Sequence, residues 1–136
     1  MGAFFLYKNR ADIDLESVRQ AFEKKEFGIP AVFNLNDMTL WLCRKQLVTD
    51  VNYLTDTDGS SLFATGSVVY KGLSYRDMLQ TLLDDYLHDQ LDLNELIGSF
   101  CLIFHVKGEA RVLTDWLGGY LENLKCVYAL IIPQRV

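Results

Sequence analysis

Cysteine is scarce in this chain, and the three present, Cys43, Cys101 and Cys126, are odd in number, far apart and flanked by apolar residues. That pattern suits reduced thiols buried in a core better than a disulfide framework or a cysteine metal site. Basic residues are also in short supply: 13 Lys and Arg stand against 18 Asp and Glu, for a net charge of -5. A phosphate-binding face needs clustered cations, so nucleic acid is not an expected partner. No apolar run approaches the roughly 20 residues that cross a bilayer, so no membrane partner is expected. The start of the chain lacks the basic, apolar and small-residue order of a secretory signal, and the protein is read as cytoplasmic. Internal repeats and low-complexity linkers are lacking too.

Half of the 136 residues are hydrophobic, enough to bury a substantial core, and residues 1–136 are read as one domain. Ala3 to Tyr7 is a continuous apolar run of strand length, expected to be a central strand. Asp14 can cap a following helix in which Leu15, Val18, Ala21 and Phe22 recur at helical spacing, with Phe27-Gly28-Ile29-Pro30 ending it. Val32–Leu35 and Met38–Cys43 flank the turn Asn36-Asp37 and predict a β-hairpin. The polar stretch Asp50–Gly59 is expected to be an exposed loop. Its Asp56 and Asp58 lack the spacing and terminal Glu of a calcium loop, so no metal is assigned.

Leu62–Ala64 and Val68–Tyr70 are strand-like around Thr65-Gly66-Ser67, where the glycine predicts a bulge or a close approach. Ser74 is placed to cap the clearest helix, whose apolar stripe runs through Tyr75, Met78, Leu79, Leu82, Leu83, Tyr86 and Leu87. A helical turn over Asn94–Ile97 leads through Gly98 into Phe100–Phe104, apolar on both faces and expected to be covered on both sides. Lys107-Gly108-Glu109 turns the chain into Ala110–Asp115, and Cys126–Ile132 is a further β-rich run. Cys101 and His105 are four apart on a strand, about 13 Å, too far to act as a thiol and base pair. His88 falls near a helix C-terminus, where a cation is favoured.

Four segments, Leu62–Tyr70, Ser74-Tyr75-Arg76-Asp77, Leu96–Cys101 and Thr114–Gly118, occur in the order of four motifs of one family. In that family these are an Asn-Gly-Glu-Ile-Tyr-like strand, a Ser-Asp-Thr-Glu helix start, a Gly-x-Phe-Ala strand and an Arg-Asp-x-x-Gly turn. On those residues the chain resembles the class II glutamine amidotransferase domain of asparagine synthetases and β-lactam synthetase. Ala3–Tyr7 and Leu42–Leu47 extend the likeness upstream. The resemblance implies an α+β fold of the N-terminal-nucleophile hydrolase type. That fold is a sandwich of two antiparallel β-sheets covered by helices (αββα), here in a minimal or truncated form.

The resemblance also implies a chemistry that the residues do not carry. An N-terminal cysteine would attack glutamine, a donor from the Asn-Gly segment would hold the oxyanion, and an acidic side chain would hold the substrate ammonium. Gly2 stands where the nucleophile is expected, Thr65-Gly66 replaces Asn-Gly, and Tyr75 stands at the acidic position. Arg76 lies beside it as a candidate carboxylate acceptor, and Asp115 keeps the family turn behind Thr114. The expected function is therefore a non-catalytic domain that serves as an interaction or regulatory partner of a separate ATP-dependent synthetase. An active amide hydrolase with an altered site and an amino-acid-binding module are the alternatives. No cofactor is implied, and a homodimer formed through an open sheet edge is a further expectation.

Overall fold

The computed structural model describes residues 3–9, 12–24, 29–43, 52–73 and 75–115. They form β1 (Ala3–Lys8), α1 (Leu15–Lys24), β2 (Ala31–Leu35), β3 (Met38–Cys43), β4 (Tyr53–Thr55), β5 (Ser61–Tyr70), α2 (Tyr75–Leu87), β6 (Leu96–Val106) and β7 (Glu109–Thr114). A 3-10 turn, Leu93–Glu95, precedes β6. Two antiparallel sheets result, one ordered β1-β3-β2 and the other β4-β5-β6-β7.

Side-chain alternation along the strands builds two separate cores. On β5 and β6 the even positions Leu62, Ala64, Phe100, Leu102 and Phe104 face α2 and meet its Met78, Leu79, Leu82 and Leu83. The odd positions Phe63, Cys101 and Ile103 face the other sheet and meet Leu6, Leu40 and Leu42. Burying each such aliphatic side chain is worth about 1.5–3 kcal/mol, so both faces of β6 contribute to stability. The doubly apolar reading of Phe100–Phe104 thus describes a strand between a sheet and a helix.

The helix α1 lies against the outer face of the three-stranded sheet, where Phe22 meets the ring of Trp41 edge-on at 6.1 Å. Asp14 caps it: its carboxylate accepts from the Ser17 amide at 3.1 Å and from the Ser17 hydroxyl at 2.6 Å. Helix, sheet, sheet and helix therefore follow one another, and the expected α+β arrangement of two antiparallel sheets with helices is observed. Phe33, Tyr53 and Phe63 close one flank of the sandwich, with Phe33 4.9 Å from Tyr53 and 4.7 Å from Phe63. At one end the Asn36 side-chain amide donates to the Gly108 carbonyl at 3.1 Å, tying a hairpin turn of each sheet to the other.

Several expectations need correction. Among the described residues β1 is an edge strand and β3 is the centre of its sheet, because Met38–Leu42 pairs on both sides. The polar stretch is not all loop: Tyr53–Thr55 pairs with β5, and Asn52 is buried. Gly66 makes no bulge, since β5 pairs with β6 without a slip from Ser61 to Tyr70. Of Asn94–Ile97, residues Leu96 and Ile97 already belong to β6. Ser74, Cys126–Ile132 and the Leu42–Leu47 segment beyond Cys43 lie outside the described residues, as does Phe27-Gly28 after α1.

Candidate functional site

The positions singled out in β5, β6 and β7 gather at the end of the sandwich opposite the Asn36–Gly108 tie. Thr65 pairs with Cys101, and Cys101 pairs with Thr114 on its other side, so the three stand side by side across the four-stranded sheet. Thr65 follows Phe63 on the face toward the other sheet and is 1% exposed. Gly66, opposite Phe100, adopts φ 87°, a conformation that glycine reaches without steric cost. Asp115 follows β7 directly, and its amide donates to the Phe100 carbonyl at 3.2 Å.

Asn52 joins the two sheets at this end. Its side-chain amide donates to the Ala64 carbonyl at 3.0 Å and to the Cys43 carbonyl at 3.4 Å, while its backbone carbonyl accepts from the Ala64 amide at 2.9 Å. Among the described residues, three oxygens near this junction are buried without a hydrogen-bond partner: Asn52 Oδ1, Thr65 Oγ1 and Asp115 Oδ1. Such atoms cost about 1–3 kcal/mol each, and native structures keep few of them.

The remaining singled-out residues do not join this group. Tyr75 opens α2 and packs against the core on the helix side of the sheet, the face opposite Thr65. Arg76 points to solvent on the exposed side of α2. Gly2 lies outside the described residues, as do Trp116 and Gly118 of the family-like turn. The structure therefore brings together Thr65, Gly66 and Asp115 and leaves Tyr75 and Arg76 elsewhere.

Nucleophiles near the junction are held in their unreactive form. The Cys101 thiol is 1% exposed, and its pKa is pushed far up, first by burial and then by the charge of Asp115. Burial raises the Cys43 thiol as well. His105 faces the same inter-sheet space from the far end of β6, paired with Ser61 and Ala110, and burial lowers its pKa. His88 closes the end of α2, with its amide on the Asp84 carbonyl at 3.1 Å and its Nδ1 2.7 Å from the same oxygen.

Asp56 and Asp58 spend their carboxylates on their own turn, accepting from the amides of Thr57 at 2.7 Å and Ser60 at 3.0 Å. No cluster of three metal-ligating side chains occurs among the described residues. Nor, among them, is any helix long and apolar enough to cross a membrane. Comparison with protein-family models, with curated proteins and with solved structures gives no match. Sequence reasoning missed Asn52, because a single Asn inside a run of Asp, Asn and Thr carries no local sign that its amide will bridge two sheets.

Proposed function

We propose that the chain is a non-catalytic domain of the glutamine amidotransferase type, built on the N-terminal-nucleophile sandwich and serving as an interaction or regulatory partner of a separate ATP-dependent synthetase. The observation that carries this reading is the enclosure of Thr65. At the position that the sequence resemblance assigns to an oxyanion donor, the side chain is buried between two sheets beside a thiol with a strongly raised pKa. An oxyanion hole requires donors aimed into a space that substrate can enter, and a nucleophile requires a thiolate. Tyr75 supports the same reading, since its place on the far face of the sheet separates the two ends of any glutamine site.

The test has two arms. Purified chain with a determined N-terminus is incubated with L-glutamine, and ammonia release is expected at the level of a protein-free control. Capture with the same chain is expected to return a carboxylate-activating synthetase in stoichiometric amount. Sustained glutamine-dependent ammonia release would overturn the catalytic half of the reading, and capture of no synthetase would overturn the other.

A further inference from the structure

A concavity lies on the helix side of the four-stranded sheet, between the end of α2, the segment after it and β7. It has a volume of about 240 Å³ and is lined by Tyr86, Leu91, Phe104 and Leu113, with Arg111 and Asp89 contributing charge. Its base is aromatic: Tyr86 stacks on Phe104 with centroids 4.2 Å apart and an interplanar angle of 15°. Leu91 and Leu113 supply aliphatic walls continuous with the helix-side core.

Arg111 sits directly opposite Phe104 across the β6–β7 pair, which sets its guanidinium beside the stacked rings. Its ion pair with Glu109 is long, 3.5 Å, and both side chains are well exposed, so the fork keeps donors for another acceptor. The Tyr86 hydroxyl feels the two signs of charge together: burial raises its pKa, Arg111 opposes the rise, and Glu109 and Asp89 add to it. A cation and an anion therefore flank one apolar recess.

From this juxtaposition we propose that the cleft binds a free zwitterionic amino acid with an apolar side chain. The carboxylate meets Arg111, the ammonium meets Asp89, and the side chain enters the recess over the Tyr86–Phe104 stack. Size favours this class, because drug-sized and nucleotide ligands fill pockets of about 300–1,000 Å³. Charge favours it as well: a simple carboxylate would face repulsion from Asp89, and a simple amine would face repulsion from Arg111. The inference is independent of the amidotransferase reading, since this recess and Thr65 lie on opposite faces of the sheet.

The experiment is an amide-resolved NMR titration of the full chain with L-leucine, compared with isoamylamine and 4-methylpentanoate, which each keep one charge. Saturable shifts at Tyr86, Leu91 and Leu113 are expected with leucine, with each one-charge compound binding at least about tenfold more weakly. Arg111→Gln is expected to weaken leucine about tenfold and to strengthen isoamylamine, whose ammonium no longer faces the guanidinium. Asp89→Asn, which keeps a residue tolerant of the left-handed φ of 54° at that position, is expected to weaken leucine and to strengthen 4-methylpentanoate, whose carboxylate no longer faces a like charge. Spectral dispersion identical to wild type establishes that each variant is folded. The proposal is overturned if leucine gives no saturable shift up to about 10 mM, if a one-charge compound binds as tightly, or if leucine binds both folded variants as it binds wild type.

Discussion

At the scale of single residues, the molecule keeps polar groups in places where stability alone would not put them. Thr65 Oγ1 is enclosed with no partner, and it sits among apolar neighbours and the Cys101 thiol. Replacing a buried unpaired hydroxyl by a methyl of the same shape removes a desolvation cost. Thr65→Val is therefore expected to stabilise the fold by about 1 kcal/mol, measured as a higher urea midpoint at unchanged slope. Asp85 is the contrasting case, a polar group with every reason to be there. Lys71 Nζ at 2.8 Å and the Tyr70 hydroxyl at 2.7 Å donate to one of its oxygens, and the Asp92 amide donates to that hydroxyl at 3.1 Å.

Those donors, Lys71 first and then Tyr70, hold the Asp85 carboxyl below its ordinary value of 3.8. Folded Asp85 thus binds its proton more weakly than unfolded Asp85. Its contribution to stability is complete above the ordinary carboxyl range and is lost as pH falls through the lowered value. Melting temperature is expected to drop more steeply in wild type than in Asp85→Asn as pH is lowered from about 5 to 2. Parallel curves for the two proteins would show that the Lys71–Tyr70–Asp85 cluster carries no such linkage.

At the scale of elements, what was legible in the sequence depended on whether the signal was local. The α2 stripe from Tyr75 to Leu87 could be read directly because the helical period places those side chains on one face whatever lies opposite. The Asn36-Asp37 hairpin was legible for a similar reason, its turn residues standing between two strand-like runs, with Asn36 at φ 60°. Strand position was not legible. The apolar run Ala3–Tyr7 looks central, yet one of its faces is covered by the other sheet and the other carries the aromatic cluster around Trp41, so an edge strand reads like an inner one. The strand glycines were legible only in part: of the bulge or close approach expected at Gly66, the bulge does not occur, and a close backbone approach is found at Gly98.

Gly98 has φ 125°, and a Cβ there would stand 2.0 Å from the Ser67 carbonyl oxygen of β5. Backbone on the paired strand cannot retreat without breaking the ladder, and the conformation itself is closed to side chains. Gly98→Ala is expected to destabilise the protein by about 3 kcal/mol. Thermal unfolding checks this, and a melting temperature equal to wild type would contradict the β5–β6 register in this region.

At the scale of the whole molecule, the four successive layers explain why the positions singled out in the sequence come together only in part. The order of family-like segments in the sequence pointed to Thr65, Gly66 and Asp115, and antiparallel pairing through β6 does bring these near one another. It could not show that Tyr75 would fall on the far side of the sheet. That depends on α2 packing over the face opposite the inter-sheet core, a long-range choice with no signature in the helix start itself. Burial is likewise a property of the assembled sandwich: Cys101 shares its core with Leu6, Leu40 and Leu42 from a different part of the chain.

The inter-sheet end beside Thr65 is closed, with Thr65 and the Cys101 thiol both buried. Native-state alkylation of Cys101, followed by mass spectrometry in a chain carrying Cys43→Ala and Cys126→Ala, tests it most directly. Labelling of Cys101 is expected to be slow and to track global unfolding as denaturant is raised, because both solvent access and thiolate formation require the sheets to separate. Alkylation of the native protein at the rate of an exposed thiol, with no dependence on unfolding, would contradict the account and place an open, reactive pocket where a sealed core is described.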